Sequence, residues 1–189
     1  AAFTVINGWE RVEYIKPSKD FQPSLSFHFD ETFEIVAKEV KNIQNNVGLT
    51  EVNGFNRFEI SGPDADTFID RMFCGNITHK PSRIGLGYLL NDFGMIKSEA
   101  TISNIPSSDR GPNRIWYGSA AASEFHDMDW LKQHLKDDEE VTIKSLTNDQ
   151  TILLLAGPKA RDVLSRCSRE DWSKEAFPWL SVRECFIGF

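Results

Sequence analysis

Apolar and polar positions alternate most cleanly just after residue 94. Ile96, Ser98, Ala100 and Ile102 take one side of an extended chain, and Met95, Lys97, Glu99 and Thr101 take the other. Residues 85–90 approach the same stretch through a turn at Asn91-Asp92-Phe93-Gly94, where glycine can supply positive φ, so 85–102 is predicted to be a hairpin. This places one carboxylate, Glu99, in the middle of a strand. Its face is either solvated or turned into a pocket, and the pattern alone leaves both open.

Helical spacing appears next. Asp30 is a good cap, and Phe33, Val36, Ala37, Val40, Ile43 and Val47 recur as one apolar stripe before Asn45-Asn46 and Gly48 end the helix. The stripe is expected to pack into a core. Downstream, Phe58 and Ile60 alternate as a strand, Gly62-Pro63 stops it, and a helix is expected to open with the proline in its first turn, with Phe68, Ile69 and Met72 inward. The design recurs over 150–167 as strand, Gly-Pro and helix. Ser-Gly-Pro-Asp-Ala at 61–65 matches Ala-Gly-Pro-Lys-Ala at 156–160, and Phe68-Ile69 matches Val163-Leu164 as the apolar helix face. Two such junctions indicate an internal duplication.

Around and between the copies lie loops at 75–83 and 106–114, a strand at 115–117, an acidic turn at 137–140 and a short strand at 141–144. A helix over 120–135 is expected to bury Ala121, Phe125, Met128, Leu131 and Leu135. Residues 1–29, with Pro17 and Pro23, read as an irregular arm or linker, and 30–189 as the domain proper. The predicted class is α+β, with duplicated strand-GlyPro-helix units and antiparallel hairpins. A second hairpin is expected after the second helix. The apolar run at 180–189 does not complete one, so the chain is expected to be a piece of a longer protein, incomplete at its C-terminus.

Composition narrows the function. The 189 residues are 40% hydrophobic and 26% charged, with 14 Phe and 5 Trp, as in a chain able to fill a core. A net charge of −7 argues against a general nucleic-acid binder and against docking on anionic lipid. No apolar run approaches the roughly 20 residues of a membrane span, and the first nine residues do not read as a signal peptide. Cys74, Cys167 and Cys185 are too widely spaced for a zinc or redox pair and are expected to be buried free thiols in a reducing compartment. His28, His79, His126 and His134 show no metal-ligand spacing, and no metal is expected. Gly85-Leu86-Gly87 opens no helix, so dinucleotide binding is not indicated, and there is no nucleophile elbow. What is left is one well-placed carboxylate on a duplicated scaffold.

Several motifs, in order, resemble a known family. Gly48-Leu49 and residues 52–62, then Gly85-x-Gly-Tyr-Leu-Leu-Asn with the Gly94 turn, then Leu155-Ala156-Gly157-Pro158, resemble the folate-binding aminomethyltransferases of the glycine-cleavage system. Gly8-Trp9-Glu10-Arg11, residues 55–59, Met72-Phe73-Cys74-Gly75 and His126-Asp127 are similar to the folate domain fused behind the flavin domain of dimethylglycine and sarcosine dehydrogenases.

The resemblance implies that tetrahydrofolate is bound and captures, as methylene-tetrahydrofolate, the one-carbon unit released when a flavin domain, carrying FAD upstream, oxidises a small N-methyl amine. It implies Glu99 as the acid/base or orienting carboxylate, where the glycine-cleavage enzymes have Asp. Phe55 falls where they have a pterin-contacting Met. Leu86 stands at the place of a pterin-contacting Tyr, with Tyr88, on the same strand face, as its substitute. Ser119 belongs to a segment whose backbone approaches the ligand.

The family's second acidic residue would follow Phe189, so this chain alone is expected to bind folate poorly and not to turn over. The location implied is the bacterial cytoplasm or the mitochondrial matrix. A non-catalytic assembly or regulatory module on the same fold is the alternative. A stand-alone aminomethyltransferase fed by a lipoyl carrier is a third, disfavoured by the arm at residues 8–29.

Overall fold

In a computed structural model, the chain is described except at residues 7, 25, 76–79, 107–113 and 189, with the side chain of Trp9 also left out. His79, most of the expected loop at 106–114 and part of that at 75–83 therefore lie outside the described residues. The elements run β1 (Ala2–Ile6), β2 (Trp9–Tyr14), α1 (Glu31–Asn45), β3 (Gly48–Glu51), β4 (Phe58–Ser61), α2 (Ala65–Met72), β5 (Phe73–Cys74), β6 (Arg83–Leu90), β7 (Ile96–Ile105), β8 (Arg114–Gly118), α3 (Glu124–Gln133), β9 (Thr142–Ser145), β10 (Leu153–Ala156) and α4 (Ala160–Cys167). The mixed α+β architecture with antiparallel ladders matches the predicted class.

Two compact units are present, the first comprising Ala1–Thr50 with Leu154–Val163, the second Glu51–Leu153 with Leu164–Phe189. In the first, β1 and β2 form an antiparallel hairpin, so the opening segment is not irregular as the prolines suggested. Both prolines lie beyond it, and the alternation that drives it is short. Asp30 caps α1 as expected, accepting from Thr32 N at 2.9 Å and from Thr32 Oγ1 at 2.6 Å.

The stripe on α1 departs from expectation. No residue of the helix is buried, and Phe33, Val36, Val40 and Ile43 are all exposed. Among its described residues this unit holds two-stranded ladders and no broad sheet face on which the stripe could lie. Phe33 instead meets Phe29, with ring centroids 4.5 Å apart.

The cap gives α1 a pH dependence of known sign. The Thr32 hydroxyl first, and the Thr32 amide after it, hold the Asp30 carboxyl below the usual carboxylate range. A lowered folded pKa contributes stability that is complete above the ordinary carboxylate value and is lost as pH falls through the lowered one. Helical circular dichroism is therefore expected to decline on acidification below about pH 4, and Asp30→Ala to remove that acid-dependent part. An unchanged acid limb in the variant would refute the assignment.

In the second unit, six strands form one sheet in the order β5-β6-β7-β8-β4-β9. One face carries Phe58 and Ile60 from β4, Leu89 from β6, Ala100 and Ile102 from β7, and Ile115 and Tyr117 from β8. Phe68 and Ile69 of α2 and Leu131 of α3 complete that core. The alternation read from the sequence is thus the alternation that buries Ser98, Ala100 and Ile102.

It fails at one end. The β6–β7 register steps from Leu89↔Ser98 to Leu90↔Ile96, leaving Lys97 as an extra residue. Past the bulge Ile96 is exposed, and the Lys97 ammonium sits 4.1 Å from the Trp130 ring centroid. Lys97 therefore does not simply share a face with Glu99. Two further expectations are corrected. Phe125 is exposed, because the long helix resolves into a 3-10 turn at Ala121–Ser123 followed by α3, which shifts its inward face. None of the three cysteines is buried as expected: Cys74 is exposed at the end of the edge strand β5, and Cys167 and Cys185 are half-buried.

Both Gly-Pro junctions adopt the same backbone. Gly62 has φ +124° and Gly157 φ +120°, a region that side chains avoid, and a Cβ at either would strike a backbone carbonyl oxygen, that of Glu140 at 2.1 Å or that of Asn46 at 2.5 Å. At each junction a third segment, the approach to β9 at Gly62 and the end of α1 at Gly157, lies too close for any residue with a Cβ. The proline lies in the turn before the helix, with Asp64 at the α2 cap position, rather than inside its first turn.

Candidate functional site

The turn of the β6–β7 hairpin is closed by two backbone hydrogen bonds, Asn91 N to Met95 O and Gly94 N to Asn91 O, both 2.9 Å, and by one side chain. Asn91 Oδ1 accepts from Phe93 N at 3.0 Å and from Met95 N at 2.9 Å, while Gly94 takes φ +76°. This fixes the register that places Glu99 opposite Tyr88 and Thr101 opposite Leu86. Ser98 and Ala100 turn into the core, so Glu99 emerges on the other face of the sheet.

There it borders a cavity of about 430 Å³, lined among others by Phe55, Leu86, Glu99, Thr101, Ser119 and Ser123. Four of the five sequence-derived site residues (Phe55, Leu86, Glu99 and Ser119) thus meet at one place. The fifth, Tyr88, faces Glu99 across the ladder but does not line the cavity. Phe55 and Leu86 are each 47% exposed, so the apolar walls are open to a ligand. Glu99 is exposed and has no hydrogen-bond or ion-pair partner among the described residues, which leaves both its oxygens available as acceptors.

The neighbouring wall, where β8 runs on past its pairing of Gly118 with Thr101, is held by residues that composition and spacing did not single out. Phe55 bridges Ala120, and Ala121 N donates to Gly54 O at 3.0 Å. Asn56, fully buried, accepts from Ser119 N at 2.9 Å and donates to Ser119 Oγ at 2.7 Å. Behind this wall, in α3, lies Asp127, 0% exposed. Its Oδ2 accepts from Ser98 Oγ at 2.9 Å, from Tyr117 OH at 2.5 Å and from Ser119 Oγ at 2.5 Å. The half-exposed His126 approaches its Oδ1 at 3.1 Å. Burial, and after it the Asp127 carboxylate accepting the phenolic proton, push the Tyr117 pKa up. The sequence signal for Asp127 is faint. It stands four residues before the buried Leu131, on the inward face of α3 where a hydrophobe is the norm.

Among the described residues there is no cluster of His, Cys, Asp or Glu able to hold a metal ion, and no helix long and apolar enough to cross a membrane. The arrangement can do one thing well. It can offer a partly apolar molecule the exposed side chains of Phe55 and Leu86 and present a carboxylate to its hydrogen-bond donors.

The fold agrees with that of an aminomethyltransferase T of the glycine cleavage system from Bartonella henselae, with a TM-score of 0.67 at 20% identity, over 88% of this chain and 39% of that one. The mitochondrial dimethylglycine dehydrogenase of Homo sapiens is 30% identical over 178 residues, 93% of this chain and 20% of that protein. The mitochondrial pyruvate dehydrogenase phosphatase regulatory subunit of Mus musculus is 28% identical over 189 residues, 97% of this chain and 21% of that protein. The chain spans about a fifth of the length of these relatives. Residues 1–189 match the GCVT N-terminal domain throughout, and the chain accordingly belongs to that family.

Proposed function

We propose that this chain is part of an FAD-dependent dehydrogenase of N-methyl amines of the dimethylglycine or sarcosine type, and that its cavity binds tetrahydrofolate. The observation that carries the reading is Glu99, an unpartnered carboxylate in a cavity whose apolar side is an open aromatic ring. A volume of about 430 Å³ lies within the range of small-molecule sites. The fused bicyclic head of a folate is flat and carries ring N–H groups, which suits Phe55 on its face and Glu99 at its edge. When bound, the folate supplies secondary-amine nitrogens that take up the one-carbon unit as methylene-tetrahydrofolate.

The residues of this chain do the remainder. Phe55 and Leu86 exclude water from the ring faces, Tyr88 backs Glu99 across the ladder, Ser119 brings its backbone close, and Glu99 orients the head and holds a proton at its carboxylate oxygen. In this reading residues 1–29 form an arm from a preceding flavin domain, 30–189 belong to the folate-binding part, and the whole protein works in a mitochondrial matrix or a bacterial cytoplasm. The name of the human relative supports both the amine chemistry and the first location.

Calorimetry on the full-length protein tests this. A charge-assisted hydrogen bond is worth roughly 1.5–3 kcal/mol, so Glu99→Gln is expected to weaken tetrahydrofolate binding about 10- to 100-fold. Unchanged affinity would overturn the role of Glu99. A regulatory module is the second reading, favoured by the name of the mouse relative. It predicts no folate binding by the full-length protein at all.

A further inference from the structure

Asp127 fills a core position in a costly way. A buried carboxylate must be desolvated, and its facing positions could have been met by another leucine such as Leu131, one turn along α3. Instead it gathers the hydroxyls of Ser98, Tyr117 and Ser119 on one oxygen. Two of these donors belong to the cavity wall. Ser98 immediately precedes Glu99 in β7, and Ser119 begins the segment that bridges to Phe55. Their side chains point away from the cavity toward Asp127, so the carboxylate holds the wall from behind. Asn56 holds the Ser119 segment from a second direction, through both its amide atoms. Fully satisfied buried polar networks of this kind fix distances that apolar packing leaves adjustable.

The geometry points to Asp127 as a positioning residue of the cavity: past the last β7–β8 pair, Thr101↔Gly118, it ties Ser98 and Ser119 to one oxygen atom and so fixes how the Ser119–Ala120 segment runs beside the Glu99-bearing strand, and hence the fit of a flat ligand. It touches no ligand itself. The inference rests on the folate-binding reading above, and the Glu99→Gln result separates the two.

The test is a thermodynamic cycle on the full-length protein, with calorimetric tetrahydrofolate binding for the parent, Glu99→Gln, Asp127→Asn and the double variant. Ser98→Ala removes one donor on Asp127, Ser119→Ala removes another together with the acceptor of the Asn56 amide, and both serve if Asp127→Asn does not fold. Asp127→Asn is expected to weaken binding at least tenfold, each serine variant severalfold, and the loss caused by Glu99→Gln is expected to shrink in the Asp127→Asn background, because the carboxylate is no longer held where it counts. In the ligand-free protein, hydrogen exchange is expected to rise at the amides of residues 98–101 and 119–121 and to stay unchanged in β9. A merely structural role gives independent, multiplicative losses and a general rise in exchange, and would overturn the proposal while leaving the site intact. So would undiminished affinity in Asp127→Asn or in both serine variants, provided Glu99→Gln still weakens binding. If the parent binds no tetrahydrofolate, or Glu99→Gln binds as well as the parent, the site reading fails and the positioning role falls with it.

Discussion

Replacing Gly62 by alanine is expected to destabilise the protein by about 2–6 kcal/mol. The first contribution is conformational, since a residue with a Cβ at φ +124° costs roughly 1–3 kcal/mol. The second is steric. The new Cβ would lie 2.1 Å from the carbonyl oxygen of Glu140 and 3.2 Å from Val141 Cα, both of them backbone atoms that cannot rotate away. Relief requires β4 to move from the segment entering β9, and such overpacking costs roughly 1–3 kcal/mol more. Gly94 is the internal comparison. It also has positive φ, +76°, but nothing within 4 Å, so Gly94→Ala should cost only about 1–2 kcal/mol. Urea unfolding at constant m-value measures both. A Gly62→Ala midpoint no lower than that of Gly94→Ala would contradict the steric account.

Phe58→Ala carries the second large effect. Phe58 is 0% exposed in β4, between β8 and β9, and its ring stacks on Tyr117 with centroids 5.2 Å apart and planes 9° from parallel. Removing a fully buried Phe costs roughly 3–5 kcal/mol, because the transfer energy is lost and the vacated space closes only in part. Here the damage also has a direction. Tyr117 loses its stacking partner, and its hydroxyl is one of the three donors on Asp127. Stability should therefore fall by that amount in denaturant titration, and tetrahydrofolate affinity should fall as well, measured where the variant is still folded. A loss of stability with affinity intact would separate the core from the cavity wall behind which it lies.

The parts of this structure legible in the sequence are those decided within a few residues. The Asn91–Gly94 turn, the Asp30 cap and the two Gly-Pro junctions are local chemistry, and each appears where it was read. The alternation from Ser98 to Ile102 is local too, and with it came the placement of Glu99. The remainder depends on pairing between distant segments. The extra residue at Lys97 is invisible until β6 is laid beside β7. Hairpin β1–β2 is short and largely exposed, so its pattern does not stand out. Apolar spacing on α1 marked a face correctly but could not say whether anything would cover it. In the sequence Asp127 stands out only as half of the His126-Asp127 motif. Its importance comes from Ser98, Tyr117 and Ser119, which the sheet brings to it from two other strands and the loop that follows them.

Helix α1 has a practical consequence. Its bare ridge of Phe33, Val36, Val40 and Ile43 is the sort of surface that finds other greasy surfaces as protein concentration rises. Handling of the isolated polypeptide is thus a colloidal question before it is an enzymological one. Dilution, or a mild detergent that wets the ridge, will govern how long the sample stays clear.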